Sequence, residues 1–162
     1  MRNVRFLRVV FLVFVLFVSP AFAADVRADV SLGAALSAGK GSTVSVPVYV
    51  KAPEGVAVDG LSLQASYDPK VLTFVRMDTE SITFPQKLQQ TNDAEKGIVT
   101  VAVGALENFP KGSFRACTLV FNCVSAGTTV LELLTEGDFA TMATSGGESV
   151  TGAVTGTTVT VR

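Results

Sequence analysis

The sequence predicts an all-β fold, a sandwich of antiparallel sheets. Three observations support this prediction: apolar and polar residues alternate in many short runs, turn-forming residues separate the runs, and the runs recur at intervals of roughly 8 to 12 residues. An alternating strand has one apolar face, so it needs sheet neighbours and a second layer to cover that face. No longer period is visible, which argues against a repeat array.

The strands are marked by the apolar members of each alternation. In chain order these are Val44, Val46, Val48 and Val50; Leu61, Leu63, Ala65 and Tyr67; Val99, Val101 and Val103; Cys117, Leu119, Phe121 and Cys123; and Val159 with Val161. Pro47 cannot donate a ladder hydrogen bond, so we expect its strand to lie at a sheet edge or to turn its N–H side to water. Residues 79–96 lack clear strand character, and a helical turn could be accommodated there.

A Tyr-Asp-Pro sequence at residues 67–69 interrupts the second of these strands, and an apolar run resumes at Val71. Aspartate can accept a hydrogen bond from the backbone two residues further on, and proline presets the turn angle. The pair therefore predicts a tight corner between two strands.

The first 23 residues have the composition of a signal peptide. Arg2, Arg5 and Arg8 precede an apolar run over residues 9–18, and small residues at positions 21 and 23 follow. The run is about ten residues long, whereas a membrane-spanning helix needs roughly 20. We therefore expect residues 1–23 to be removed on export. The remaining domain, residues 24–162, would have no membrane span and would reside in the periplasm, at the cell surface or outside the cell.

The charge of the exported chain limits its partners. Loss of the three leader arginines leaves 10 basic and 14 acidic side chains, a net charge of about −4. Nucleic acids and anionic membranes attract clustered lysine and arginine. We therefore expect neither as a partner.

Catalytic chemistry is limited by the absence of histidine. This excludes Ser-His-Asp and Cys-His nucleophile systems as well as imidazole metal sites. Carboxylate pairs such as Asp78 with Glu80, or Glu136 with Asp138, lie in polar segments where solvated charge is the ordinary condition. We expect no enzyme activity, no cofactor and no metal site.

Cys117 and Cys123 are the two cysteines of the chain. Six residues of extended strand separate them by about 20 Å, whereas a disulfide needs Cα atoms within about 7 Å. The spacing predicts two small buried side chains. A sharp bend or an intermolecular bridge is the alternative.

The order of several segments resembles that of a cohesin module. The segments are "GSTVSVPVYV", "VDGLSLQASYDPKVLTF", "GIVTVAV", "KGSFRACTLVFNCVSAGTTVLEL" and "GTTVTV", and the resemblance covers nearly all of residues 28–162. It implies a nine-stranded antiparallel β-sandwich with jelly-roll topology. It also implies a noncatalytic protein that binds a dockerin, a small module with paired calcium loops, through one sheet face. The calcium belongs to the dockerin.

The resemblance implies a docking sheet that includes the strand before the Tyr-Asp-Pro corner. The outward residues of that strand would be Ser62, Gln64 and Ser66, and Asn92 would lie at the near edge of the face.

The "GIVTVAV" strand would belong to the same sheet, but two placements of its valines are possible. The family's pattern places Val99, Val101 and Val103 outward, whereas composition alone buries them. If they are outward, they form an apolar stripe rimmed by serine and glutamine, typical of a protein interface. In that case Gln64→Arg together with Val101→Asp would abolish partner binding without changing thermal unfolding.

Protein docking in a secreted or cell-surface assembly, linked to polysaccharide binding or degradation, is the favoured function. A carbohydrate-binding module of similar architecture is an alternative, and its sugar would stack on exposed rings such as Tyr49, Phe109 or Phe139. A structural subunit of a surface appendage is another, because an open sheet edge can accept a donated strand.

Overall fold

The computed structural model describes residues 26–80 and 82–162, so the predicted signal peptide, residues 1–23, lies outside the described residues. No helix in this part of the chain is long and apolar enough to cross a bilayer. The described residues form thirteen strands: β1 Ala28–Leu32, β2 Leu36–Ala38, β3 Thr43–Lys51, β4 Gly60–Ser66, β5 Leu72–Thr79, β6 Gln86–Asp93, β7 Ile98–Gly104, β8 Ser113–Cys123, β9 Gly127–Leu133, β10 Met142–Ser145, β11 Glu148–Ser149, β12 Thr151–Thr155 and β13 Thr157–Val161.

The strands form two sheets around one apolar core. The five-stranded sheet has the order β12-β1-β3-β8-β5. The eight-stranded sheet has the order β11-β10-β4-β9-β13-β2, with β7 pairing β4 and β6 pairing β7. The predicted all-β sandwich is confirmed.

The count of thirteen exceeds the predicted nine. Two stretches of chain pass from one sheet to the other, β1 to β2 and β12 to β13, so each contributes two strands. A short hairpin of β10 and β11 adds further elements. The jelly-roll connection stays a prediction.

The core is built from the inward positions that the alternation predicts. Cys117 and Cys123 are both buried and free, which agrees with the prediction drawn from their spacing. Between them on β8, the ring of Phe121 packs edge-on against Tyr67 at 5.3 Å and against Phe74 at 5.5 Å, measured between ring centroids. The contact with Tyr67 joins the two sheets at the corner that follows β4, whereas Phe74 is the ladder partner of Phe121 within the five-stranded sheet.

The corner has the predicted chemistry. The side-chain oxygen Oδ1 of Asp68 accepts a 2.9 Å hydrogen bond from the backbone N–H of Lys70, two residues on. The Asp68 carbonyl accepts a 3.0 Å bond from the N–H of Leu72, where β5 begins. The Tyr67 N–H donates to the carbonyl of Gly97 at 2.8 Å, which ties the corner to the turn before β7.

The edge position expected for Pro47 is wrong, because β3 is the third of five strands. The Pro47 carbonyl accepts a 2.8 Å hydrogen bond from the N–H of Gly33, just after β1 ends at Leu32. Since the nitrogen and the carbonyl of a strand residue point to the same side, the Pro47 nitrogen also faces the place where β1 ends. No ladder bond to β8 is lost.

The expectation for residues 79–96 is wrong in part, because Gln86–Asp93 forms β6. A single helical turn does precede it, since the Glu80 carbonyl accepts a 2.9 Å hydrogen bond from the N–H of Phe84. This strand is polar, and its residues are exposed or half-buried along its whole length, so neither face gives an apolar alternation. Its pairing with β7 determines its conformation.

Candidate functional site

The candidate site is the outer face of the eight-stranded sheet around β4. Leu61, Leu63 and Ala65 of β4 are buried in the core, and the residues between them are half-buried. Successive side chains of a strand point to opposite sides. Ser62, Gln64 and Ser66 therefore lie on the outer face, as predicted.

The register between β4 and β7 determines which β7 residues share that face. Ser62 pairs with Ala102, Gln64 with Thr100 and Ser66 with Ile98. Directly paired residues of an antiparallel ladder point to the same side. Ile98, Thr100 and Ala102 therefore extend the outer face of β4.

The outward placement of the three β7 valines is wrong. Val99 is 0% exposed, and Val101 and Val103 are each 1% exposed. They pair with Ala65, Leu63 and Leu61, the core-facing residues of β4. Burying three valines removes more apolar surface from water than burying isoleucine, threonine and alanine would. The valines therefore face the core, as the composition of the strand alone predicts.

A polar contact connects the two strands on this face. Nε2 of Gln64 donates a 3.1 Å hydrogen bond to Oγ1 of Thr100, its partner in the ladder. The Gln64 carbonyl accepts a 2.8 Å bond from the N–H of Leu134, where the chain leaves β9. Gln64 is therefore held in place between β7 and the end of β9.

Asn92 does not lie on this face, which corrects its predicted position. It pairs with the inward residue Val99. Its side-chain oxygen accepts a 2.8 Å hydrogen bond from the buried Tyr67 hydroxyl. Its neighbours Thr91 and Asp93 pair with Thr100 and Ile98, so they border the outer face, as does Gln89, which pairs with Ala102.

Two apolar side chains on this face escaped the sequence analysis, Leu88 on β6 and Met142 on β10. Leu88 is 64% exposed and occupies a register shift between Lys87 and Gln89, so it is an extra residue in the ladder with β7. Met142 is 39% exposed and pairs with Ser62. The one available signal was the lone leucine in the polar segment "QKLQQTND", since β10 is too short to show a period.

The charges that border the face are held at its edges. Asp93 forms a 3.2 Å ion pair with Lys96, and its Oδ1 accepts a 3.1 Å hydrogen bond from the Lys96 N–H. This backbone hydrogen bond is the main cause that lowers the pKa of Asp93 below its ordinary value. On the other side, Glu132 is exposed and pairs with Ser66.

Within residues 26–80 and 82–162, no three His, Cys, Asp or Glu side chains come together as potential metal ligands. Burial raises the pKa of the Cys117 thiol to about 12, with a smaller contribution from the charge of Glu80. A thiol in this environment stays protonated and is a poor nucleophile.

The family model for the cohesin domain matches residues 28–161, which include both sheets and the candidate face. The chain belongs to the cohesin domain family. A search of the curated proteins found no match to this cohesin domain.

Solved structures share the fold of this cohesin domain at low sequence identity. A non-cellulosomal cohesin from Archaeoglobus fulgidus is 22% identical, with a TM-score of 0.64 over 84% of this chain and 91% of that one. A type I cohesin–dockerin complex from Clostridium thermocellum contains a chain that is 13% identical, with a TM-score of 0.68 over 84% and 99% of the two chains. A cohesin module of a family 33 glycoside hydrolase from Clostridium perfringens is 12% identical, with a TM-score of 0.68 over 84% and 96%.

The cohesin domain has other surface features away from the candidate face. A cleft of about 550 Å³ lies between the connections that precede β6 and follow β7, and Ile82, Pro85 and Leu106 contribute to its lining. The exposed rings proposed as sugar platforms belong to different elements: Tyr49 to β3, Phe109 to the β7–β8 connection and Phe139 to the β9–β10 connection.

Proposed function

We propose that this cohesin domain is a noncatalytic docking module, and that a dockerin-type protein binds the outer face formed by β4, β7 and the adjoining edge of β6. The observation that carries the proposal is the composition of that face. Six side chains without charge, Ser62, Gln64, Ser66, Ile98, Thr100 and Ala102, form three directly paired rungs.

The composition suits protein docking because nothing charged has to lose its hydration at the centre of the face. Gln64 offers polar groups beside small side chains that allow close approach. The face differs from a sugar platform, which would present aromatic rings there. The fold that this chain shares with a chain of a type I cohesin–dockerin complex supports the proposal.

Binding of purified dockerin modules to the immobilised chain tests the function. We expect at least one module to bind in calcium and to be released by EDTA, because the resemblance places the calcium in the dockerin. Absence of binding by a broad panel of calcium-loaded dockerins would contradict the proposal.

A pair of arginine substitutions tests the face. Gln64→Arg places a bulky charge at the centre of the proposed face, and we expect at least about a tenfold weaker Kd, equivalent to about 1.4 kcal/mol. Ser45→Arg is the matched control, because Ser45 is an exposed polar residue of β3 in the five-stranded sheet. Both variants should unfold at the temperature of the wild type. Equal affinities would show that docking occurs elsewhere.

We also propose that the chain acts after export, in the periplasm, at the cell surface or outside the cell, in an assembly linked to polysaccharide binding or degradation. The arginine-flanked apolar run and the small residues at 21 and 23 support export. Mass spectrometry of the protein from its natural source should find Ala24 as the first residue. Retention of residues 1–23 in the mature protein would contradict removal of a signal peptide.

A further inference from the structure

A shallow notch lies in the outer face, where β4 begins and the antiparallel strand β7 ends. Its volume is about 160 Å³, and its lining includes Gly60, Ser62, Leu88, Ala102, Met142 and Thr144. We refer to it as the Leu88–Met142 notch.

The floor of the notch is low because four small residues meet there. Gly60 pairs with Gly104 across β4 and β7, and Ser62 pairs with Ala102 on the next outward rung. A Cβ added to Gly104 would lie 3.3 Å from Cδ1 of Leu88, so the leucine lies close against this glycine. A Cβ added to Gly60 would likewise lie 2.9 Å from Oγ1 of Thr144, so the two glycines allow Leu88 and Thr144 to lie close against the β4–β7 ladder at the sides of the notch.

One wall is Leu88, and the register shift in β6 accounts for its position. Lys87 pairs with Val103 and Gln89 with Ala102, so Leu88 has no partner of its own in the ladder. An extra residue of this kind re-aims a side chain. Here it keeps a leucine 64% exposed next to the floor of the notch.

The opposite wall is Met142, carried by the β10–β11 hairpin. The hairpin is anchored to the start of β4 through Asp59, whose carboxylate accepts hydrogen bonds from the Thr144 hydroxyl and from the Gly147 N–H. The Asp59 N–H also donates a 2.9 Å bond to the Thr144 carbonyl. This anchoring holds Met142 across the floor from Leu88.

We propose that the Leu88–Met142 notch receives an aliphatic side chain of the protein partner, an inference that rests on the proposed docking function. The notch has no charged lining residue, so it cannot pair a basic or acidic group. Its volume of about 160 Å³ leaves room for one side chain, and its walls, Leu88 and Met142, offer no ring against which an aromatic side chain could stack. It adjoins the docking face through Ser62, and a buried apolar anchor beside polar contacts is the usual arrangement of an interface hot spot.

Methyl NMR of the purified protein titrated with isopropanol tests the notch without a protein partner. We expect the Leu88 and Met142 methyl signals to saturate at about threefold or more lower alcohol concentration than those of Val130, the difference that burial of about one more methylene group would cause. Val130 is the matched control, since it is 61% exposed and belongs to β9 of the same sheet. Equal response of the three residues would overturn the proposal.

A pair of leucine substitutions makes the test specific. Ser62→Leu fills the notch from its floor and should remove the preferential response of Leu88 and Met142. Ser66→Leu, on the outer face of the same strand but outside the notch lining, should retain it. Persistence of the response in Ser62→Leu would place the probe elsewhere and contradict the assignment.

The complex with a bound dockerin module identifies the occupant. We expect NOEs between the Met142 methyl group and a leucine, isoleucine or valine methyl of the partner. NOEs to an aromatic or charged side chain would reject the aliphatic occupant while leaving the docking function intact. Failure of every dockerin to bind would instead reject the proposed function, and the isopropanol titration would still decide whether the notch binds aliphatic groups.

Discussion

The hydroxyl of Tyr67 donates a 2.8 Å hydrogen bond to the side-chain oxygen of Asn92. Tyr67 is buried at the corner that follows β4. Asn92 is on β6, which is separated from β4 by β7 in the sheet. The bond thus ties β6, at the edge of the eight-stranded sheet, to the core. It gives Asn92 a structural role.

A double-mutant cycle measures this bond. Tyr67→Phe and Asn92→Ala should each destabilise the fold, with a coupling energy of about 0.5–1.5 kcal/mol, because either change removes the same hydrogen bond. Urea unfolding of the wild type, both single variants and the double variant gives the value. Thr91→Ala is the control, since Thr91 pairs with Thr100 on the other side of the sheet. A coupling of zero would contradict the assignment.

Gly97→Ala should destabilise the fold by about 2–4 kcal/mol. Gly97 has φ of +65°, and an added Cβ would lie 2.1 Å from the Tyr67 carbonyl oxygen, so strain and a backbone clash act together. Gly39→Ala is the matched control, because an added Cβ there meets nothing within 4 Å. Equal midpoints in chemical denaturation for the two variants would show that the corner is not packed as described.

Val101→Asp should unfold the protein or destabilise it by at least about 3 kcal/mol, because it buries an unpaired carboxylate in the core. This reverses the outcome expected for an outward valine. Ala102→Asp, on the outer face of the same strand, should retain a cooperative transition close to that of the wild type. Circular dichroism during heating separates the two outcomes. A stable Val101→Asp variant would show that Val101 faces outward after all.

Alkaline pH should lower stability through Cys117. Its pKa is raised to about 12 by burial, so between about pH 9 and pH 12 the folded thiol keeps a proton that the unfolded thiol has lost. The free energy of unfolding then falls by up to about 1.4 kcal/mol per pH unit in that window. Cys117→Ala, compared with the wild type by urea unfolding across the window, should have a shallower pH slope. Identical slopes would contradict the burial of this thiol as a neutral group.

Most of the fold could be predicted from the alternation of apolar residues, because burial on one side imposes a period of two. The method failed for β6, because its residues are exposed or half-buried throughout, and pairing with β7 together with bonds such as that from the Tyr67 hydroxyl to Asn92 maintains the strand. It also failed for Pro47, since the pattern within β3 cannot show that β1 ends beside it.

The candidate docking face was only partly predictable. The positions of Ser62, Gln64 and Ser66 follow from the parity of β4. For the three valines of β7, the composition of the strand predicted the buried position correctly, whereas the family's pattern predicted an outward one. Leu88 and Met142 depend on a register shift and on a hairpin joined to a distant strand, and these relationships are not encoded in any short segment.

Cross-saturation NMR of the complex with a bound dockerin module tests the docking face most directly. Irradiation of the partner should attenuate the methyl signals of Ile98, Ala102 and Met142, which lie on the outer face of the eight-stranded sheet. Val75, which is 40% exposed on β5 of the other sheet, should keep its intensity. Attenuation of Val75 with unchanged Ile98 and Ala102 signals would contradict the account.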